Sequence, residues 1–359
     1  MTHRMKGPPY HVAVVGASSL LGKELISVLE ERKFPASRLV KVETETEDPE
    51  LPILDLKGDA GIPLPQEEVK AAEVDFAFLA GRPGGGPALP EFLRGSEAAE
   101  CVVIDLDDEP AASRARVMRG ADDWTLSAPF LDREFPVGGT PPESRRFVSA
   151  HPVSIVISGL LLRLSRRAGI ERAVAQVFGP VSEIGSKAIK ELQKQTVNLL
   201  SFQKIPEAVF GGQLAFNVLP RLARSRRGVQ NYRDELSDLQ NRVQSQLRAY
   251  LAGRAALPAV HLVQVPVFHS LAISLYVETD HPIAPESAAQ ALAGERIRLS
   301  KFSEQAPSPV RATGSSDILV DAITADGGHA SGIWIWATAD NTRLAAVNAL
   351  DIAEACCRV

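Results

Sequence analysis

The stretch "YHVAVVGASSLLGKELISVLEERKF", residues 10–34, narrows the folds open to this chain more than any other. It begins with the apolar run Val12 to Val15, turns at Gly16 and resumes with Leu20, Leu21, Leu25, Ile26 and Leu29 at helical spacing. A short continuous apolar run followed by a 3.6-residue period reads as strand, tight turn, helix. A strand that is apolar on both sides must be covered on both sides, which is the situation of a parallel sheet flanked by helices. Further strands are expected at "RLVKVET", "VDFAFLAG" and "CVVIDLD", with helix-compatible stretches between most of them. This alternation predicts an α/β fold built on a parallel sheet.

With 359 residues the chain has room for a second domain. The Pro- and Gly-rich segment Pro136 to Pro142 marks the exit from the first. Beyond it, Ile157 to Arg167 reads as a helix and Val174 to Phe178 as a strand. Ser186 to Leu200 reads as a second helix, with Ile189, Leu192, Val197 and Leu200 apolar, and Asp234 to Leu251 as a longer one. The segments "VHLVQVPVF", "LAISLYVET", "DILVDAITA" and "GIWIWATA" are β-rich and closely spaced, which predicts an antiparallel or mixed sheet backing the second domain. Thr342 to Cys357 closes the chain as a helix.

Composition removes several classes of function. At 45% hydrophobic, 23% charged and 6% aromatic residues the chain is of the soluble globular type. Its apolar stretches fall short of the ~20 residues of a spanning helix, and Met1 to Tyr10 lacks the apolar core of a secretion signal, so a cytoplasmic protein without membrane contact is expected. Cys101, Cys356 and Cys357 have no metal-ligand spacing, so no metal site is expected and the thiols read as reduced bystanders. A net charge of -5 argues against nucleic acid as a partner.

The first turn carries a binding signal. Backbone N–H groups at a helix N-terminus favour an anion such as a dinucleotide pyrophosphate, and Gly16, Ser18, Ser19 and Gly22 form that turn. Ser19 stands where a glycine would let the pyrophosphate approach, and its side chain either crowds the phosphate or donates to it. Glu43, a little over 20 positions past the loop, suits a ribose diol and repels a 2'-phosphate, which favours NAD over NADP. The alternative is an α/β turn whose glycines serve geometry alone and bind no cofactor.

The order of these pieces resembles the aspartate-semialdehyde dehydrogenase family, and particularly its Usg-type paralogues. The matching motifs are "VAVVGASSLLGKELISVLEERKFP", "VSEIGSKAIKELQKQTVNLL", "FGGQLAFNVLPRL", "VQVPVF", "SSDILVDAI" and "ATADNTRLAAVNALDIAE". The resemblance implies a Rossmann-type parallel-sheet domain over residues 1–145 plus 341–359, and an α+β catalytic and dimerisation domain over 146–340. It also implies a homodimer. In active members a cysteine thiolate attacks the aldehyde, hydride passes to NADP, and phosphate releases an acyl phosphate. A histidine accepts the thiol proton, an arginine grips the substrate carboxylate and a glutamine orients the substrate.

Carried over one position at a time, these roles find few takers. Anchoring the family pattern Ala-Asn-Pro-x-Cys on Ala150 and Pro152 puts Ser154 in the cysteine's place, and counting back from the helix gives Val153. A serine hydroxyl is barely ionised near neutral pH without a positioned base, so the exchange is chemically large, and helix capping is the competing role for Ser154. The pattern Pro-Val-x-x-Gly-His-Ser meets "PVFHSLAIS", which puts Leu271 where histidine belongs and leaves His269 two positions upstream, on the same face of an expected strand. Gly179 or Pro180 replaces the orienting glutamine, Glu183 enters the following turn, and Glu235 with Arg242 or Arg248 are the nearest substrate-binding candidates on the long helix. Where a phosphate-gripping arginine is expected, the chain has Asp105, Asp107, Asp108 and Glu109. Asn341 alone matches a family asparagine near the nicotinamide, with capping of the last helix as its competing role.

The resulting expectation is a homodimer of this fold that has lost the acylating chemistry and acts by binding or assembly, for instance as the partner of a metabolic enzyme. Two alternatives stand beside it. One is an active NAD(P)-dependent semialdehyde dehydrogenase of amino-acid biosynthesis with an altered substrate or nucleophile, using Ser154 or a water activated by His269. The other is a regulatory NAD-binding module.

Overall fold

The computed structural model describes residues 7–42, 64–65, 68–81, 89–94, 100–106, 124–136, 144–224, 233–300 and 305–357. The chain divides into two compact units, residues 1–150 with 345–359 and residues 151–344.

In unit 1 the strands are β1 (Tyr10–Val15), β2 (Ala36–Val42), β3 (Phe76–Leu79), β4 (Val102–Asp105), β5 (Trp124–Ser127) and β6 (Arg146–Ser149). They form one sheet in the order β2-β1-β3-β4-β6-β5, and every neighbouring pair is parallel. The continuous apolar runs are buried as their composition requires: Val12, Val14, Phe76 and Phe78 enter one core layer and Ala13, Val15, Ala77 and Leu79 the other. Helix α1 (Leu20–Glu31) follows β1, and α2 (Pro129–Glu134) follows β5. The C-terminal helix returns to this unit, where Ala346, Leu350 and Ala353 join the first layer.

Unit 2 opens with α3 (Pro152–Leu164), all thirteen residues of which are buried. This helix begins five residues before the expected Ile157. Pro152 is its first residue, where the missing N–H is one for which a helix has no partner anyway. There follow β7 (Ile170–Gly179), α4 (Ser186–Leu200), the two-residue strands β8 (Ala223–Arg224) and β9 (Arg233–Asp234), and α5 (Glu235–Leu251). Then come β10 (Ala259–Gln264), β11 (Leu271–Thr279), α6 (Pro285–Leu292), β12 (Ile297–Leu299), α7 (Pro309–Ala312), β13 (Ile318–Ala325), β14 (Gly332–Ala339) and α8 (Asn341–Cys357).

The second sheet has the order β10-β7-β11-β14-β13-β12. It is mixed, antiparallel in the middle and parallel at both edges. Tyr276 lies opposite Val174 on one side and Trp334 on the other, and Ser274 lies opposite Gln176 and Trp336. Because side chains alternate along a strand, these residues share one face. That face is partly exposed, whereas Ala175, Val177, Leu275, Val277, Ile333 and Ile335 are buried on the opposite face. Among the described residues no helix is long and apolar enough to cross a membrane.

Candidate functional site

The turn at the head of α1 is tightly packed. Gly16 has φ +76°, and a Cβ there would stand 2.8 Å from the backbone of Gly81; a Cβ on Gly22 would stand 2.2 Å from the carbonyl oxygen of Gly16. Ser19 neither overhangs the turn nor keeps a free proton. Its Oγ donates to the Ala80 carbonyl at 2.9 Å and accepts from the Gly22 N–H at 2.8 Å, which makes it the N-cap of α1. The N–H groups of Gly16 and Ala17 donate to Val42 and that of Ser19 to Gly16, so much of the turn's donor capacity is spent inside the fold. Ser18 belongs to the same turn. Glu43, together with Asp107, Asp108 and Glu109, lies outside the described residues. Asp105 is fully buried in β4.

The second candidate region is the head of α3, in unit 2. Ser154 is its third residue and is fully buried, and among the described residues its Oγ has no hydrogen-bond partner. It does not cap the helix. The cap is His151, whose Nδ1 accepts from the Val153 N–H at 3.2 Å. An acceptor Nδ1 carries no proton, so the ring proton sits on Nε2, which donates to Glu183 Oε1 at 2.7 Å. The backbone N–H of His151 donates to Gln246 Oε1 of α5 at 2.8 Å. The imidazole is 2% exposed and the Glu183 side chain 25%.

Glu183 sits in the one-turn segment Val181–Glu183 between β7 and α4. Its other oxygen accepts from Asn341 Nδ2 at 3.0 Å. Asn341 Oδ1 in turn accepts from Ser182 Oγ at 3.0 Å and from the Ser270 N–H at 3.2 Å. Burial by itself would raise the Glu183 carboxyl, but the His151 imidazole, the Arg242 guanidinium and the Asn341 amide together hold it at about 2. One carboxylate thus ties the head of α3, the turn after β7, α5 and the first residue of α8 together. Asn341 does not cap α8; Asp340 does, accepting from the Arg343 N–H at 3.0 Å.

Of the residues expected from sequence, this region gathers Ser154, Glu183, Arg242 and Asn341. Arg248 is exposed on α5, and the side chain of Glu235 lies outside what is described. His269 is not on a strand: β10 stops at Gln264, before Pro266, and His269 occupies a bend ahead of β11. The two-residue periodicity of a strand therefore says nothing about where it faces. No hydrogen bond reaches its ring among the described residues. Leu271 opens β11 and is buried. Missed altogether was His151, whose only sequence signal was its place directly before a proline at a helix start.

No cysteine occurs between residues 151 and 344. Cys101 lies in the core of unit 1, where burial pushes its thiol up to about 12, and Cys356, packed against the other core layer, is raised to about 12 for the same reason. Among the described residues no group of three His, Cys, Asp or Glu side chains is placed to hold a metal ion.

A parallel-sheet unit and a mixed-sheet unit, the second with a buried helix whose head gathers polar side chains, define a two-unit α/β protein. Residues 161–344 match the family model described as "Semialdehyde dehydrogenase, dimerisation domain", and the chain belongs to that family. Its relatives include the aspartate-semialdehyde dehydrogenases of Aquifex aeolicus, 28% identical over 96% of this chain and 97% of the relative, and of Legionella pneumophila, 29% identical over 96% and 94%. The crystal structure of aspartate semialdehyde dehydrogenase II from Vibrio cholerae superposes with a TM-score of 0.79 at 26% identity, covering 98% of this chain and 99% of that one.

Proposed function

We propose that this chain is a Usg-type member of the family, a homodimer that has lost the acylating dehydrogenase chemistry and acts by binding or assembly. The observation that carries the reading is the head of α3. Acyl transfer through a thioester needs a thiolate and an imidazole with a free nitrogen to take its proton. Here the candidate nucleophile positions are Val153 and Ser154, both buried. The nearest imidazole in sequence has one nitrogen spent on the Val153 N–H and the other on Glu183. Groups that act as a unit fail as a unit, so the loss of the thiol alone forfeits most of the rate enhancement, even though the ring of His269 is uncommitted among the described residues.

The test is direct. Purified protein with aspartate semialdehyde, phosphate and either NAD or NADP should show no turnover; ordinary enzymatic turnover, about 1 to 1000 per second, overturns the reading. A Ser154→Cys variant should remain inactive, because the nearest imidazole in sequence, His151, stays committed to the Val153 N–H and Glu183. Calorimetric titration with NAD and NADP examines the Rossmann-type unit separately. The spent donors of the first turn point to weak nicotinamide binding, and tight binding of either dinucleotide would favour the regulatory-module reading. The dimer is supported by the dimerisation-domain match and by the open sheet face bearing Val174, Tyr276, Trp334 and Trp336. There Tyr276 and Trp334 pack with ring centroids 4.9 Å apart and Trp334 is 40% exposed. Aromatic side chains bordered by polar and charged groups, here the Arg172–Glu278 ion pair, are the arrangement of an interface core and its rim.

A further inference from the structure

Beside β12, the edge strand of the second sheet, lies a cavity of about 100 Å³ lined by Arg298, Ser300, Arg311, Ser315 and Leu319. Strand pairing brings part of this lining together. Arg298 lies opposite Leu319 in the parallel β12–β13 register, while Ile297 and Ile318, one step back, face the other way and are buried. The Ser300 N–H donates to the Val320 carbonyl at 2.9 Å, which continues the register past the end of β12. The other side of the cavity comes from α7 and the turn after it, which are tied to the sheet. Thr313 Oγ1 shares a 2.9 Å hydrogen bond with Ser270 Oγ, the Gly314 N–H donates to Asp340 Oδ2 at 2.8 Å, and Trp336 Nε1 donates to the Pro307 carbonyl at 3.0 Å. Arg311 and Ser315 therefore belong to a fixed frame.

The chain carries a net charge of -5, yet this cavity has two guanidinium groups and no acidic side chain among its described lining residues. A concave site lined by one sign of charge concentrates its field and draws an ion of the other sign. The number of donors indicates which ion. Each guanidinium has five N–H groups in a planar fork, of which the bond from Arg311 Nη1 to the Gln305 carbonyl takes one. Ser315 Oγ accepts from the Asp317 N–H at 3.1 Å, a bond that does not use the hydroxyl proton. Two forks and two hydroxyls supply about six donors, more than the roughly four lone-pair sites of a carboxylate and suited to the three or more oxygens of a phosphate. The volume agrees. It exceeds the about 30 Å³ of a water and falls well below the about 300 Å³ of the smallest drug-sized pockets, so a group of a few heavy atoms fits and a dinucleotide does not.

We propose that this cavity is a binding site for a phosphate group, either inorganic phosphate or the phosphate end of a small phosphomonoester. None of its residues belongs to the head of α3, so the site stands whether or not that region has lost its chemistry.

Calorimetric titration of the full chain at constant ionic strength in chloride tests it, with inorganic phosphate, glycerol 3-phosphate and acetate as probes. One phosphate or phosphomonoester should bind per chain with a dissociation constant of about 1 mM or tighter. Whichever of the two binds more tightly identifies the source of the group. Arg298→Gln and Arg311→Gln should each weaken binding by about tenfold or more. Arg298 is exposed on an edge strand, so its variant should keep the wild-type Tm in chloride and decides the matter if Arg311→Gln fails to fold. Lys33→Gln, which removes an exposed cation of unit 1, should leave binding unchanged. No heat with phosphate or glycerol 3-phosphate at about 10 mM overturns the site. So does a loss in Arg298→Gln no larger than in Lys33→Gln, which would reduce the effect to net charge, and acetate binding as tightly as phosphate overturns the assignment of the ligand.

Discussion

The heads of α1 and α3 pose the same physical problem and solve it differently. Each helix begins directly after a strand or its exit, and each has an unpaired N–H end that a side chain must satisfy. At α1 a serine does so, and its hydroxyl also reaches the Ala80 carbonyl of the neighbouring strand exit. At α3 a histidine does so, and its second nitrogen reaches Glu183, 32 residues away in sequence. The first solution uses only the turn's own N–H and a backbone carbonyl, and leaves the turn close to the form its glycines prescribe. The second imports a carboxylate, and with it Arg242 and Asn341, into the region where a reactive thiol would be expected. A turn whose constraint is backbone geometry keeps its sequence pattern, whereas a turn whose constraint is chemistry can be refilled by a different set of polar groups without disturbing the fold around it.

Substitutions at the two heads should separate these solutions. The largest effect is expected for Gly22→Ala, because its Cβ would stand 2.2 Å from a backbone oxygen; a loss of about 3 kcal/mol in urea unfolding is expected. A loss under 1 kcal/mol would show that the α1 turn yields easily. Next comes Glu183→Ala, which leaves the His151 and Asn341 donors unpaired and should cost about 2 kcal/mol, since a quarter of the carboxylate side chain sees water. Combined with His151→Ala in a double-mutant cycle it should show coupling of about 1 kcal/mol or more; additive losses would mean the pair is not a unit.

The pH dependence sharpens the same point. Glu183 is held at about 2 against an ordinary 4.5, so its contribution is complete above about pH 4.5 and fades as the pH falls toward 2. The stability gap between the wild type and Glu183→Gln should close over that window, and a gap flat from pH 7 to 2 would contradict the pairing. The smallest effect belongs to Ser154→Ala. Its buried hydroxyl has no partner among the described residues, so its removal should be neutral or slightly stabilising, within about 1 kcal/mol. A loss of several kcal/mol would reveal a bond made by that hydroxyl and reopen a catalytic role.

Much of the architecture could be read from local pattern. The helix Ser186–Leu200 and the strands Leu271–Thr279 and Gly332–Ala339 have the bounds their periodicity predicts. Two expectations failed beside a proline: the helix expected from Ile157 begins at Pro152, and the strand expected through Pro266 to carry His269 ends at Gln264.

What the sequence determined by itself was therefore the layered α/β plan, the helix at each head, and the want of a thiol in residues 151–344, because apolar period and residue identity are properties of neighbours along the chain. The proton on His151, the low carboxyl of Glu183 and the idle hydroxyl of Ser154 were decided only by tertiary structure. The first two depend on groups brought from positions 151, 183, 242 and 341 to hydrogen-bonding or charge range and the third on the burial of α3, and no spacing rule along the chain encodes such a meeting.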